Sequence, residues 1–280
     1  MKKYINPQSV LFAVLFGLAF FMAFGPVKWL YDSTRHREYY THLGLIPLIS
    51  MYFVFQSREL IFTNTAFSFR VGAPFLALGA VLYLAGGYFE TVLSHNDFAS
   101  VMALSAVVFV QGAFLLCFGC PAFKAALFPL LFLIFAIPIP DAVMDRLIYV
   151  LQVGSTEFTD LLFAMSGVPY FRDGFFFNLA GGGIEVARQC SGIRSGLALF
   201  ITAILAGHMF LNTAWKKILL VVVVFPITMF KNGIRITILS LLGTYVDPRW
   251  LESSLHTDGG IVFFILALLL MAPILFALRR

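Results

Sequence analysis

The chain has 280 residues, of which 60% are hydrophobic and only 12% charged; its formal net charge is +5 and its mean hydropathy +0.92. A soluble domain carries roughly 25% charged and 45–50% apolar residues, so this composition excludes a soluble globular enzyme, and it excludes disorder because the apolar content is far too high. What remains is an all-α polytopic membrane protein. At roughly 20 residues per spanning helix, the length allows about eight crossings within a single membrane domain over residues 1–280.

Lys2 and Lys3 precede the first apolar run, Val10–Gly25. Pro26-Val27-Lys28 is not a small-residue cleavage site, so the run reads as a retained first helix rather than a signal peptide. Further runs follow at Leu43–Phe55, Gly72–Gly87, Ala99–Gly119, Ala122–Ile139, Ile193–Leu211, Ile218–Leu242 and Gly259–Leu278. Pro47, Pro74, Pro129, Pro226 and Pro273 interrupt them, which membrane helices tolerate when neighbours satisfy the freed carbonyls.

The longest connection covers residues 140–192. From Asp141 to Gly167 it has helical periodicity, with Val143, Leu147, Leu151, Phe158, Leu161, Leu162 and Met165 apolar and Asp145, Arg146, Glu157 and Asp160 polar. That pattern predicts a small helix lying along the membrane surface. Phe171 to Leu179 then reads as extended, Ala180 to Gly183 as a turn, and Ile184 to Ala187 as a return strand, predicting a β-hairpin before the sixth span. No strand–GxxxxGK[ST]–helix pattern surrounds the glycines, so they are not a phosphate loop.

With eight spans and a cytoplasmic N-terminus, the inner segments hold Lys2, Lys3, Arg58, Arg70, Lys124, Lys216, Lys217, Arg279 and Arg280 against one acid, Glu59. The positive-inside rule then places both termini in the cytoplasm and the 140–192 loop outside.

Chemistry concentrates in the last third. Arg188-Gln189-Cys190-Ser191-Gly192-Ile193-Arg194 puts a cysteine at the mouth of the sixth span. A thiol in an apolar protein is ordinarily an inert packing group. Here a helix N-terminus and two arginines favour an anion, the form in which cysteine attacks. Lys231-Asn232-Gly233-Ile234-Arg235 lies inside the seventh span, where a charge costs about 2.5–3.5 kcal/mol and marks function by default. Against the reading of Arg235 as purely structural stands the predicted position of Cys190 and His256 at the same outer end. His256, followed by Asp258-Gly259-Gly260, enters the eighth span. Nucleophilic catalysis needs a thiolate, a proton-transfer group and a cation for the oxyanion, and Cys190, His256 and Arg235 fill those roles.

These residues resemble the exosortase/archaeosortase family of membrane transpeptidases. The carriers are Cys190-Ser191-Gly192-Ile193-Arg194-Ser195, Asn232-Gly233-Ile234-Arg235 and His256 ahead of Gly259-Gly260; Tyr40-Thr41-His42-Leu43-Gly44-Leu45-Ile46-Pro47 and the stretch from Phe128-Pro129 to Ile137-Pro138-Ile139-Pro140 also match. The resemblance implies a cysteine protease/transpeptidase of the cytoplasmic (inner) membrane with an outward-facing site, with Cys190, Arg235 and His256 as the catalytic trio; histidine at the last position is the bacterial type. Its substrates would be exported proteins whose C-terminal sorting signal has a Pro-Glu-Pro type motif, a membrane helix and a basic tail, transferred through a thioester on Cys190 to an acceptor such as a membrane lipid. Neither a metal nor an organic cofactor is implied, and nucleic acid is not a partner.

Arg188, Arg194 and Arg172 are candidates, on charge alone, to bind an acidic motif residue, and Asn232 belongs to the supporting shell. Asp258 and Glu185 are candidates to contact substrate or orient His256, while Asp141 and Asp145 read as solvated surface. Cys117-x-x-Cys120 has redox or metal spacing, but zinc needs four ligands or three plus water, and no further Cys or His lies nearby in sequence. Two rival classes remain. A transporter suits broken helices and an intramembrane arginine, but it gives no reason for a cysteine beside Arg235 and His256. A non-catalytic assembly protein would tolerate the loss of Cys190.

Overall fold

The computed structural model describes residues 6–34, 40, 42–180, 182–251 and 260–280. It is an α-helical membrane protein with one small sheet. Its elements are α1 (Pro7–Thr34), α2 (Leu45–Gln56), α3 (Arg58–Ile61), α4 (Phe69–Tyr88), α5 (His95–Ala125), α6 (Leu127–Phe132), α7 (Asp141–Ser166), β1 (Tyr170–Asp173), β2 (Phe176–Leu179), β3 (Gly182–Glu185), α8 (Ile193–Phe210), α9 (Ala214–Tyr245) and α10 (Gly260–Arg279). Among the described residues six helices are long and apolar enough to cross a membrane, α1, α4, α5, α8, α9 and α10, and a seventh span results if the broken pair 127–136 and 141–166 is one crossing. The chain forms two compact units, Met1–Val143 and Met144–Arg280.

The difference from eight runs has local causes. The second run forms α2, whose 12 residues reach only about 18 Å at 1.5 Å per residue, short of a ~30 Å hydrocarbon layer. The fifth run is cut into α6 and a 3₁₀ turn, Leu133–Ala136, and ends at Pro138 and Pro140, which supply no amide hydrogen to a helix.

In the first unit, α5 is the buried centre, and α1 and α4 pack along it. Small residues permit the approach: a Cβ at Gly72 would lie 2.4 Å from the Leu116 amide nitrogen, and one at Gly112 would lie 2.6 Å from that of Leu76. Close backbone approach through glycine substitutes for a hydrophobic driving force that lipid does not supply. At the other end of the unit, polar groups fasten the turn into α7. Ser94 caps α5 by accepting from the Asp97 amide at 3.0 Å and donates to Asp141 Oδ2 at 2.6 Å. Buried Asn96 donates to the Ile139 carbonyl at 2.8 Å and to Asp141 Oδ1 at 2.9 Å, accepts from the Tyr40 hydroxyl, and Asp97 accepts from the Asp141 amide. Asp141 is thus a structural latch rather than the solvated acid its sequence position suggested. Tyr40, in the early Tyr-Thr-His stretch, serves the same latch.

In the second unit, α8, α9 and α10 share a core of Leu199, Ala203, Leu220, Val224, Ala267 and Met271. The helix predicted across 141–167 is present as α7, but its buried stripe differs from the predicted apolar side: it runs through Met144, Ile148, Leu151, Gln152, Ser155, Thr156, Thr159 and Phe163. The predicted hairpin is a three-stranded antiparallel sheet in the order β1-β2-β3. The extra turn falls at Gly174-Phe175, where Gly174 has φ +58, the left-handed conformation that glycine supplies at a tight two-residue hairpin loop. Phe177, Leu179, Val186, Phe163 and Ile236 form the cluster that seats the sheet on α7 and α9.

The glycine contact generates a prediction. Gly72→Val forces a side chain into the α5 backbone, so folded yield and apparent melting temperature in detergent should fall sharply. Gly87→Val is the control, because a Cβ there meets nothing within 4 Å. Equal behaviour of the two variants would refute the packing role.

Candidate active site

The site is built where α7, the end of the sheet, the start of α8 and the middle of α9 meet, all within the second unit. Two glycines bring α7 onto α9: a Cβ at Gly154 would lie 2.3 Å from Met229 Sδ, and one at Gly233 would lie 2.8 Å from Phe158 Cβ. This approach turns the polar stripe of α7 toward Asn232, which is fully buried. The Asn232 amide donates to Ser155 Oγ at 3.0 Å and to the backbone carbonyl of Cys190 at 2.6 Å.

Cys190 closes a single 3₁₀ turn, Arg188–Cys190, with its amide bonded to the Ala187 carbonyl at 2.8 Å. The segment before it is held at both sides. The Val186 amide donates to the Phe175 carbonyl at 2.9 Å, and the Val186 carbonyl accepts from Gln152 Nε2 at 2.7 Å. The segment after it turns at Gly192, the N-cap of α8, with φ +77 and ψ +14. Glycine is required there twice over. The backbone is left-handed, and an added Cβ would lie 3.1 Å from the Asn232 side chain.

These constraints direct Cys190 into a cleft of about 60 Å³ lined by Ile184, Glu185, Cys190, Arg235, Ile236, Leu239 and Ser240. The volume suits about two water-sized groups, the scale of one carbonyl and its attacking atom. Arg235 is half-buried, one turn beyond Asn232 on α9, so the cation and the thiol share a small, mainly apolar cavity. Ser240 Oγ is spent on its own helix, donating to the Ile236 carbonyl at 2.6 Å. Charge developing in so apolar a space is felt strongly by a fixed cation.

Sequence reasoning placed Cys190 and Arg235 together, and the structure brings them into one cleft. His256 and Asp258 lie outside the described residues. The arginines proposed for the motif do not line the cleft: Arg188 pairs with Asp145 on the exposed side of α7, Arg194 is exposed, and Arg172 pairs with Glu157 at 2.6 Å and Asp160 at 3.2 Å. Asp145 is accordingly an exposed ion-pair partner, as a surface acid should be. Glu185, weighed as a substrate contact, does line the cleft.

Two groups escaped sequence reasoning. Lys231, 2% exposed, donates to Ser195 Oγ in the first turn of α8, and Ser195 in turn donates to the Gly192 carbonyl at 3.0 Å. Its intramembrane charge was the available signal. Ser155 and Gln152 on α7 hold Asn232 and Val186, and nothing in their spacing distinguishes them from surface polar residues. Cys117 and Cys120 are free thiols in the first unit, Cys117 buried within an apolar cluster. Among the described residues no group of three or more His, Cys, Asp or Glu is placed to hold a metal.

Asn232 carries a testable load. Asn232→Ala leaves the part-buried Cys190 carbonyl without its donor, which should cost about 1 kcal/mol of stability. It should also speed alkylation of Cys190 by a maleimide as the turn loosens, while Asn178→Ala on the exposed β2 position changes neither. Unaltered alkylation and melting in Asn232→Ala would show that the amide does not hold the turn.

A family model described as transmembrane exosortase (Exosortase_EpsH) matches residues 29–273, a span that contains every residue of the site. No curated protein and no solved structure matches the chain.

Proposed function

Since the chain belongs to the transmembrane exosortase family, we propose that it is a membrane-embedded cysteine transpeptidase that cleaves the C-terminal sorting signal of exported proteins, of the Pro-Glu-Pro type, and transfers them to an acceptor. The observation that carries this reading is the shared cleft of Cys190 and Arg235 at the N-terminus of α8. Cys190 Sγ, as thiolate, attacks the scissile carbonyl carbon, and the resulting oxyanion is held by the Arg235 guanidinium. The C–N bond breaks as His256 gives a proton to the leaving amine. The thioester that remains is attacked by an acceptor nucleophile, a lipid amine or hydroxyl, whose proton His256 takes; the C–S bond breaks and the Cys190 thiolate returns. The chain's own contribution is electrostatic and positional. Asn232 and Gly192 hold the nucleophile's turn, and Lys231 ties α8 to α9 beneath it.

The proposed location is the cytoplasmic membrane, with both termini inside and the cleft facing outward. The support is the run of basic residues at the opposite ends of the helices, from Lys124 to Lys216-Lys217 and Arg279-Arg280. A membrane-impermeant thiol reagent applied from outside should therefore label Cys190 ahead of Cys117 and Cys120. Labelling from the cytoplasmic side alone would reverse the topology and remove the mechanism.

The decisive experiment is co-expression with a signal-bearing substrate. Cys190→Ala should abolish processing with insertion unchanged, since half-buried Cys190 contributes little packing area. Arg235→Lys keeps the charge and loses the planar five-donor fork. Removing an oxyanion donor slows a reaction by about 10²–10³, and Arg235→Lys should fall in that range while signal binding changes much less. Processing by Cys190→Ala would end the nucleophile assignment, and full activity in Arg235→Ala would make the arginine structural.

A further inference from the structure

The end of the sheet offers more than a wall for the cleft. β3 is an edge strand, and two of its residues, Ile184 and Glu185, line the cavity that holds Cys190 and Arg235. Which of its backbone groups are open follows from the register. Val186 donates to the Phe175 carbonyl, which makes Phe175/Val186 a hydrogen-bonded pair, and in an antiparallel ladder such pairs recur at every second residue. Phe177/Ile184 and Leu179/Gly182 are therefore the bonded pairs, and the N–H and C=O groups of Gly183 and Glu185 face away from β2. Among the described residues no backbone group bonds to them on that side.

The two edges of the sheet differ. β1 is preceded by Pro169 and carries Arg172 and Asp173, the charged and proline-guarded character that blocks edge pairing. β3 reads Gly-Gly-Ile-Glu, contains no proline or lysine, and has at Gly183 no side chain to crowd a neighbour. Its Ile184 and Glu185 border the cleft.

The geometry points to β3 as the docking edge: the extended sorting segment of the substrate pairs as a fourth strand with the outward amides and carbonyls of Gly183 and Glu185, and this delivers its scissile bond to Cys190. This inference rests on the transpeptidase reading above and adds the mode of recognition. Strand addition takes affinity from main-chain hydrogen bonds and leaves side-chain identity to local pockets. It also restricts where proline can occur. Residues two apart in a strand direct their amide nitrogens to the same side, and proline is admitted only where that side is not paired. A Pro-Glu-Pro motif meets the restriction: both prolines face away, and the intervening glutamate presents its N–H and C=O to β3. The alternation holds for either strand direction.

The test uses the full-length protein in lipid nanodiscs and a synthetic peptide with a Pro-Glu-Pro core flanked by short apolar residues. N-methylation of the glutamate amide, or of the amide two residues before it, should lower kcat/KM about tenfold, the scale of one lost hydrogen bond. N-methylation three residues before it should change kcat/KM less than about twofold by the same reasoning. On the protein side, Gly183→Pro removes one outward N–H and leaves the β2–β3 ladder intact, so KM should rise about tenfold with kcat little changed. Gly87→Ala, in the first unit and with nothing within 4 Å of its added Cβ, is the control and should keep the wild-type KM. Cleavage of every N-methyl peptide at the same rate, or wild-type KM in Gly183→Pro, would overturn the docking edge while leaving the transpeptidase in place. Loss of self-association in Gly183→Pro, without a change in KM, would assign the edge to a second copy of the chain and overturn the proposal equally. Failure of the wild-type protein to cleave the unmodified peptide would instead count against the transpeptidase reading and, with it, the docking edge.

Discussion

In an apolar interior a polar group cannot fall back on water, so a donor that finds a partner there fixes that partner firmly. The second unit depends on one such group. Asn232, fully buried in the middle of α9, uses its two amide hydrogens on Ser155 of α7 and on the backbone of Cys190. It thereby joins a helix, a loop and a helix N-terminus that are far apart in sequence. The left-handed turn at Gly192 fits around that side chain, and the entry of α8 follows from the turn.

The rest of the site is arranged around this junction by close backbone approach. Gly154 and Gly233 let α7 lie against α9, which turns Ser155 and Gln152 inward rather than toward solvent. Gln152 then holds the Val186 carbonyl, and Val186 closes the end of the sheet. The same tactic operates in the first unit, where Gly72 and Gly112 join α4 to α5 and the polar contacts go to the latch at Asp141. Both units combine small residues for proximity with a few directed hydrogen bonds for register. This is the combination expected where lipid removes the usual hydrophobic advantage of helix association.

Charge is rationed for the same reason. The exposed ion pairs, Arg172 with Glu157 and Arg188 with Asp145, sit around the sheet and on the outer side of α7. The buried or half-buried cations Lys231 and Arg235 are one turn apart on α9, one tying helices together and the other lining the cleft that also holds Cys190. Two cations so close within a span repel each other.

Composition alone settled that the chain is a multi-pass helical membrane protein, because 12% charged residues cannot cover a water-facing surface. The intramembrane arginine, the cysteine ahead of a span and their spacing were legible for a related reason: in an apolar background each polar residue is an exception. The three-stranded sheet was legible only in part, since Asp173-Gly174 is a turn signal that a long aromatic run obscures. The predicted apolar side of α7 did not match its buried stripe. Small polar residues such as Ser155 and Thr159 carry no sign in sequence of whether they will face water or an amide. The tertiary structure alone decided that Asn232 grips Cys190, that Arg188 and Arg172 are taken by acids, and that two residues of β3 line the cleft. Each of these depends on which surfaces come within hydrogen-bonding distance, a long-range property that local pattern does not encode.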